Sequence, residues 1–549
     1  MSSRLSRISL WILGAAIALQ LIMPFVYPIV GHDAPVHLNW LSQFPTLFRE
    51  GNLYPRWMPD SFWGFGSPAF YFYPPLAYWC AGLISFICPS PVAIYQMLGL
   101  LATITSVATC YWYLRFLTKD KHSSLIGALV YGIFPYRFLD LYLRNAIGEH
   151  LAFVFFPLIF LGIEIAIRST GKKQSLLSVI VSCIGWAGIL LTNIPAAIIS
   201  AYAAALYCLI TSWRNRKFNF IIPLFIGVLI GVMISSVYLL PIESYTSAIK
   251  LSHLWDLQNQ AGNSGYVLID VLHWNYKYFC ITAIMAFVSG IWVLFRFSRQ
   301  TRNGQWNNTS LIFSIFLLIA VILQVPYLLS PLWITLPFFK FIQFSYRWDM
   351  LIVFASAVFI TLYFSGNEKI RILWFIGVSS AILLIVAIGY FNTMNGWHVH
   401  ADLPLGHIDA PEYLPSEANN NFDTAKYELK KREMDPLIQI DDSAHLHIFS
   451  VKADMIRFSI DKSDHPIPII FHRAYFPSWK LRMNNSIEIQ LSADSIGRIK
   501  AILPSSAEYT LSVEESQVEK IGKIISIAGL SLFGIVLLLT IFLRNPKGS

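Results

Sequence analysis

The stretch Phe70-Tyr71-Phe72-Tyr73-Pro74-Pro75-Leu76-Ala77-Tyr78-Trp79-Cys80-Ala81-Gly82-Leu83-Ile84-Ser85-Phe86-Ile87-Cys88 decides the topology of this chain. It is apolar and long enough to be taken for a membrane span, yet it opens on two prolines and is rich in aromatic side chains. If it crossed the bilayer, every basic cluster from Lys119 through Lys369 would lie outside, against the positive-inside rule. Held as a juxtamembrane or re-entrant segment, it leaves all the clusters in the cytoplasm. These are Arg4/Arg7, Arg115/Lys119/Lys121, Arg168/Lys172/Lys173, Arg214/Arg216/Lys217, Arg296/Arg299/Arg302, Lys369/Arg371 and Arg544/Lys547. That choice predicts about twelve transmembrane helices, at 8–28, 92–116, 123–142, 151–168, 176–192, 195–213, 219–240, 278–296, 310–329, 347–365, 370–390 and 520–543. Both termini then lie inside, and residues 29–91 form a first outer loop.

The 549 residues are 56% hydrophobic and 13% charged, with a mean hydropathy of +0.56, which excludes an ordinary soluble fold and fits a polytopic α-helical membrane protein. The net charge of +9 does not signal nucleic-acid binding, because much of the Lys and Arg sits in the inter-span clusters that set orientation. The first apolar segment is too long for a signal peptide's core and lacks a small-residue cleavage site, so it is expected to stay as a helix. Cys80, Cys88, Cys110, Cys183, Cys208 and Cys280 lie in or beside apolar segments, which leaves the polar C-terminal region to fold without disulfides.

With 70–88 kept from crossing, three polar constellations share the outer face. They are His32-Asp33 with His37, Arg144-Asn145-Ala146-Ile147-Gly148-Glu149-His150, and Lys340 with Arg347-Trp348-Asp349. The turns Thr192-Asn193-Ile194-Pro195 and Pro241-Ile242-Glu243 join them. Asp33 has two readings. Asp-Ala-Pro opens a helix well, with Asp33 as its cap; alternatively, a carboxylate at the water–lipid boundary is placed to act as a general base. His32 and His37 would orient it or share a metal, although the pattern offers no third spaced ligand. Arg144 is either an interfacial ion-pair partner or a phosphate binder, with Glu149 as a second acid or metal ligand and His150 beside it. Arg347 poses the same choice between helix-end anchor and phosphate clamp. Glu164, four residues before Arg168, reads as a local helix-face pair. His398, His400, Asp402, His407 and Asp409 match no standard metal spacing and read as a solvated linker. Trp57, Trp63 and Tyr71 read as interface anchors whose rings also suit stacking on a sugar.

From Phe391 to about Val518 the pattern turns to alternating apolar and polar residues, as in His445–Val451 and Met455–Ile460. Further strands are expected at Ile467–Tyr475, Trp479–Met483, Ser486–Leu491, Arg498–Leu503 and Glu508–Val513, with turns at Asn484-Asn485 and Ser495-Ile496-Gly497. The chain therefore divides into a transmembrane domain over 1–390, an extracytoplasmic β-sandwich-like domain over 391–518, and a last helix with a short tail over 519–549.

The order of motifs resembles a known family. His-Asp ends the first span, an aromatic loop ends in Tyr73-Pro74-Pro75-Leu76, and an Arg…Glu-His loop precedes the fourth span. Phe344-Ser345-Tyr346-Arg347-Trp348, Glu412-Tyr413-Leu414-Pro415 and Tyr475-Phe476-Pro477-Ser478-Trp479-Lys480 follow. This is similar to the bacterial membrane proteins catalogued as 6-pyruvoyl-tetrahydropterin-synthase-related, which resemble YfhO-type proteins; both resemble the GT-C glycosyltransferase superfamily. The resemblance covers nearly the whole chain.

It implies a bacterial inner-membrane glycosyltransferase that moves a sugar from a polyprenyl-phosphate donor to an envelope acceptor on the outer face. Asp33 maps onto the catalytic acid of the first outer loop and Glu149 onto a second acidic residue. Arg144 and Arg347 would hold the phosphate, and His32, His37, His150, Tyr71 and Trp57 would line the substrate. The second loop lacks Asp-x-Asp, so a divalent cation is an open element of this picture. A single carboxylate at the reacting carbon favours inversion. The rival readings are a transporter or flippase of a lipid-linked sugar and a non-catalytic envelope assembly protein.

Overall fold

The computed structural model describes residues 14, 31, 33–249, 304–323, 335–342, 344–365, 409–417, 435–440, 445–461 and 465–543. The spans expected at 278–296 and 370–390, and 8–28 apart from Gly14, lie outside the described residues, as do His32, His398, His400, Asp402 and His407. The helices that follow are α1 (Ala34–Arg49), α2 (Leu76–Ile84), α3 (Pro91–Thr118), α4 (Lys121–Ile133), α5 (Ile147–Ile167), α6 (Lys172–Leu190), α7 (Ile194–Asn215), α8 (Ile221–Tyr245), α9 (Gly304–Leu323), α10 (Asp349–Phe364) and α11 (Gln517–Phe542). Among the described residues six are long and apolar enough to cross a membrane: α3, α5, α6, α7, α8 and α11. The other expected crossings fall on shorter helices or outside the described residues. The apolar stretch quoted at the outset contains α2, whose 9 residues make a rod of about 14 Å, under half the depth of a hydrocarbon core.

One expected span is not a continuous helix. Over 123–142 the chain runs through α4 only to Ile133, because Phe134 precedes a proline and is pushed to an extended conformation (φ −57°, ψ 141°). A short turn at Pro135–Phe138 and a π-helical turn at Leu139–Arg144 follow. Pro45, Pro157 and Pro241 stay inside helices, and each leaves a carbonyl without its usual donor. Pro241 in α8 frees the Val237 carbonyl, which accepts from Arg56 Nη2 at 2.9 Å. Pro157 in α5 frees the Phe153 carbonyl, which accepts from the Tyr131 hydroxyl at 2.8 Å.

Small residues let α8 lie close to its neighbours. A Cβ on Gly227 would stand 2.7 Å from Ser182 Cβ of α6, and one on Gly522 of α11 would stand 2.7 Å from the Ser236 carbonyl oxygen. Without a solvophobic drive inside lipid, such close backbone approach is what holds helices together. Glu164 and Arg168 form the expected pair, Nη2 to Oε2 at 2.8 Å.

The C-terminal region forms nine strands, β1 (Ile438–Ile440), β2 (His445–Lys452), β3 (Met455–Asp461), β4 (Ile467–Ala474), β5 (Trp479–Met483), β6 (Ile487–Ile489), β7 (Ser492–Ala493), β8 (Arg498–Leu503) and β9 (Ala507–Val513). They make two antiparallel sheets, ordered β1-β4-β8-β7 and β2-β3-β9-β5-β6. Period-two alternation turns Ile456, Phe458, Ile460, Tyr509 and Leu511 of one sheet toward Ile469, Phe471, Ile499 and Leu503 of the other. Asn484 and Asn485 both take positive φ (49° and 58°) in the tight turn that joins β5 to β6, where Met483 pairs with Ile487. The same core takes in Trp57, Phe62, Trp63, Phe65, Tyr71 and Phe72, so the loop after α1 and the sandwich are one packed body.

Candidate functional site

The π-helical turn at Leu139–Arg144 is where charge gathers. Arg144 Nη1 donates to Asp140 Oδ1 at 2.9 Å and to Glu149 Oε2 at 2.8 Å. Arg347 Nε lies 3.3 Å from the same Glu149 oxygen, and the Tyr136 hydroxyl donates to the other. Glu149 is therefore held on both oxygens, by its own neighbourhood in the sequence and by the distant turn that carries Arg347. The Arg144 guanidinium also lies over the Tyr346 ring, 4.8 Å from its centroid. Two guanidiniums thus meet on Glu149, and one of them also holds Asp140.

Asp33 stands beside this group without joining it. Its backbone N–H donates to the Arg144 carbonyl at 2.8 Å, and the Gly31 N–H donates to the Asn145 side chain. Asn145 holds a left-handed backbone (φ 57°), and its amide donates to the Leu141 carbonyl at 2.7 Å. The start of α1 is thus pinned to the turn that carries Arg144. Asp33 occupies the N-cap position of α1, but its side chain makes no capping bond. It is half-buried, and among the described residues its carboxylate forms no hydrogen bond or ion pair.

An aromatic wall closes the space around Asp33. His37 Nδ1 lies 2.6 Å from the Tyr78 hydroxyl, with the Trp40 and Tyr73 rings edge-on at 5.8 and 5.7 Å. Burial pulls the imidazole down to about 4, opposed by the Asp33 charge and assisted by Arg144. Tyr73 hydroxyl rests against the start of α5, where a Cβ on Gly148 would come within 2.8 Å of both the Tyr73 oxygen and the Thr192 carbonyl oxygen. Only glycine fits there. Burial and then the Asp33 charge raise the Tyr73 phenol, and Arg347 opposes them, which puts this hydroxyl in the field of both groups.

The fourth wall arrives from the link between the bundle and the sandwich. Asp409 Oδ1 accepts from Trp40 Nε1 at 3.1 Å, and the Ser416 N–H donates to the Ala248 carbonyl at 2.9 Å. Between them the Tyr413 ring stacks on Phe72, with centroids 6.1 Å apart and planes 9° from parallel. Burial, then Asp409 and Asp33, push Glu412 up to about 7, and burial pushes Asp409 up to about 6. Asp409 was expected in a solvated linker. Instead it is buried, because the buried indole N–H of Trp40 takes it as a partner.

The sequence-predicted residues separate into those the fold brings together and those it does not. Asp33, His37, Arg144, Glu149 and Arg347 converge. His150 is turned into the bundle, where Nε2 lies 2.9 Å from Thr103 Oγ1 and the backbone carbonyl accepts from Arg137 at 3.1 Å. Trp57 and Tyr71 sit in the core shared with the sandwich. Trp57 meets Trp479 edge-on at 5.3 Å, and Tyr71 lies between Tyr245 (4.9 Å) and Phe476 (5.1 Å). Neither ring has a face left for a sugar, so the stacking role expected of them gives way to a packing one. Tyr136, Asp140, Tyr73 and Glu412 were not singled out from the sequence. Asp140 and Arg137 had a signal, since ionisable residues inside an apolar stretch rarely lack a purpose. Among the described residues no group of three or more His, Cys, Asp or Glu side chains is arranged to hold a metal ion.

The fold and this chamber define a multi-pass membrane protein whose polar site lies where the helices meet a β-sandwich. The chain belongs to the family described as 6-pyruvoyl-tetrahydropterin synthase related domain, membrane protein, which it matches over residues 70–394. It is similar to an uncharacterized protein of Lactococcus lactis subsp. cremoris (strain MG1363), 26% identical over 310 residues, which is 54% of this chain and 50% of that one. The chain thus spans half the length of this relative. Among solved structures it aligns with the arabinofuranosyltransferase AftD from Mycobacteria (13% identity, TM-score 0.45, 92% of this chain and 40% of that chain). It also aligns with an oligosaccharyltransferase of Archaeoglobus fulgidus (13% identity, TM-score 0.38, 69% and 52%).

Proposed function

We propose that this protein is a GT-C-type glycosyltransferase of a bacterial cytoplasmic membrane, with Asp33 as general base and a polyprenyl-phosphate sugar as donor. The observation that carries the reading is the contrast between two neighbouring carboxylates. Glu149 is bound on both oxygens, while the Asp33 carboxylate makes no hydrogen bond or ion pair among the described residues and its N–H is held by the Arg144 carbonyl. A base must be able to reach its proton; an acid locked between two guanidiniums is suited to positioning them.

In the proposed step the acceptor hydroxyl loses its proton to Asp33 as its oxygen bonds to the anomeric carbon. The anomeric carbon–phosphate oxygen bond breaks, and the electron pair leaves on the phosphate. Arg144 and Arg347 stabilise that leaving charge, and one-step displacement inverts the anomeric centre. On this reading the sandwich belongs to the outer face, where an envelope acceptor would approach. The test is turnover of radiolabelled polyprenyl-phosphate sugars by purified protein in lipid nanodiscs. Asp33→Asn should abolish donor consumption and keep polyprenyl-phosphate binding. Undiminished turnover in that variant removes Asp33 as base; a wild-type protein that consumes none of the donor panel sinks the transferase reading.

A further inference from the structure

We propose that the β2 edge of the sandwich is a lipid-binding surface, seated on the phospholipid headgroups of the bilayer face at which α11 enters. The register of the sheet sets its height. β9 ends at Val513, and three residues later the Ser516 hydroxyl caps α11 by accepting from the Glu519 N–H at 3.2 Å. Antiparallel pairing puts Met455 of β3 beside Ser512, and Lys452 and Val451 of β2 beside Met455 and Ile456. The tip of the β2–β3 hairpin therefore lies at the end of the sandwich from which the chain passes into α11. Two bonds hold it there. The Val513 N–H donates to the Asp454 carbonyl at 2.9 Å, and Asn52 Nδ2 donates to Asp454 Oδ2 at 3.4 Å.

Both neighbours of the tip belong to the membrane boundary. Exposed apolar side chains of α11 run from Ile521 to Phe542, about 33 Å of helix, which fills a hydrocarbon core of about 30 Å. Ser516 then stands about 7 Å above that core, where the headgroups lie. Asn52 follows α1, whose end packs on α2 and the turn after it: Arg49 Nη1 donates to the Ser85 carbonyl at 3.3 Å, and the Phe48 and Phe86 rings meet at 6.4 Å. That turn presents Leu83, Phe86 and Ile87 outward, an apolar surface suited to lipid.

The β2 edge continues this surface. Phe449 is 49% exposed and Val451 50%. A register shift between Ile448 and Ser450 leaves Phe449 outside the ladder. Such a bulge spoils the flat edge that an added strand needs, whereas lipid needs no ladder. Lys452, and Lys520 on the first turn of α11, are exposed and form no ion pair among the described residues. An apolar strip edged by cations fits a phospholipid, with Phe449 and Val451 against its glycerol and upper chains and the lysines at its phosphate. Ile502 of β8 is 60% exposed but precedes the Ala507 end of β9 by a short turn. The 7 residues of β9 set that end about 20 Å from Val513, which makes Ile502 the control.

The test needs no turnover, so its outcome is independent of the proposed reaction. Benzoylphenylalanine is placed at Phe449, Val451 or Ile502 of the full chain in nanodiscs of phosphatidylethanolamine and phosphatidylglycerol. Adducts formed on illumination are identified by mass spectrometry. Phe449 and Val451 should give phospholipid adducts in severalfold higher yield than Ile502. Lys452→Glu should lower the phosphatidylglycerol share of the adducts at Phe449, because a surface cation favours anionic headgroups. Adducts to protein alone, whether a second copy or another chain, would identify a protein-binding edge and overturn the proposal. Equal lipid yields at Phe449 and Ile502, or a phosphatidylglycerol share unmoved by Lys452→Glu, would do the same. All three side chains are exposed, so the replacements spare the core, and Phe449 and Val451 report independently if one variant fails to fold.

Discussion

Replacing Glu149 by Gln separates the two things this residue does. The change is nearly isosteric, so it keeps the shape of the site and removes one negative charge from a set of two guanidiniums and two carboxylates. Arg144 and Arg347, each only 11% exposed, would then lose the carboxylate they share, and Arg144 would keep Asp140. Taking one partner from a buried ion pair costs about 3–5 kcal/mol, so the folded state should be weakened by that order. The same change leaves the pocket with a surplus of one positive charge. A unit charge 4 Å away acts at about 4 kcal/mol where the effective dielectric is about 20. Even a third of that, roughly 1.4 kcal/mol, is a tenfold change in affinity. Glu149→Gln in nanodiscs should therefore unfold more readily in a denaturant titration and yet bind undecaprenyl phosphate at least about tenfold more tightly. Weaker or unchanged binding by the folded variant would refute the idea that these arginines receive a phosphate. Unchanged stability would refute the ion network itself.

Two further perturbations probe the frame around the chamber. Arg56 links the loop after α1, the carbonyl freed by Pro241 and the buried Glu519 of α11, 3.6 Å away. Arg56→Met and Glu519→Gln should each destabilise the protein by about 3 kcal/mol or more, and the double variant by clearly less than their sum; simple additivity in denaturant titrations would show that the pair is not coupled. His37 has a folded-state value of about 4 against 6.5 ordinarily, so the unfolded chain binds the proton more readily. Its contribution to stability is complete above about pH 6.5 and is lost as pH falls toward 4, amounting to about 3 kcal/mol. His37→Phe should flatten the acid side of the stability profile; an unchanged slope there would show that His37 is not the buried neutral group described.

The sandwich was legible because its information is local. Alternation in β3 and β9 and the Asn484-Asn485 turn need no knowledge of distant partners, and strands and turn fall where the pattern places them. The charged clusters Asp33, Arg144, Glu149 and Arg347 were legible as rare ionisable residues beside apolar runs. What could not be read was which neighbours would arrive by long-range packing. Hydropathy averages over Pro135 and reports one span where the backbone breaks, so the π turn that aims Asp140 and Arg144 goes unseen. Tyr71 and Tyr73 are equivalent in sequence, yet two residues decide whether a phenol enters the sandwich core or rests on Gly148. Asp409 looked like linker because nothing local says that Trp40 needs an acceptor.

The break after α4 explains why the two acids of the chamber differ in kind. An unbroken helix through 123–142 would keep successive residues on a fixed spiral, with Tyr136, Asp140 and Arg144 as one stripe. The proline stop and the wider π turn let Arg144 bond Asp140 and Glu149 together, and leave its carbonyl to receive the Asp33 N–H. One residue thus binds Glu149 by its side chain and places Asp33 by its backbone. Glu149 ends with its charge neutralised; Asp33 ends fixed in position with its carboxylate uncommitted among the described residues. On the proposed reaction, that is the division a displacement at an anomeric carbon requires: a structural acid to hold the cations, and a separate one within reach of the proton. A side-chain change at Arg144, like one at Arg347, should therefore weaken the cation side and leave Asp33 in place, because the carbonyl that receives the Asp33 N–H survives the substitution.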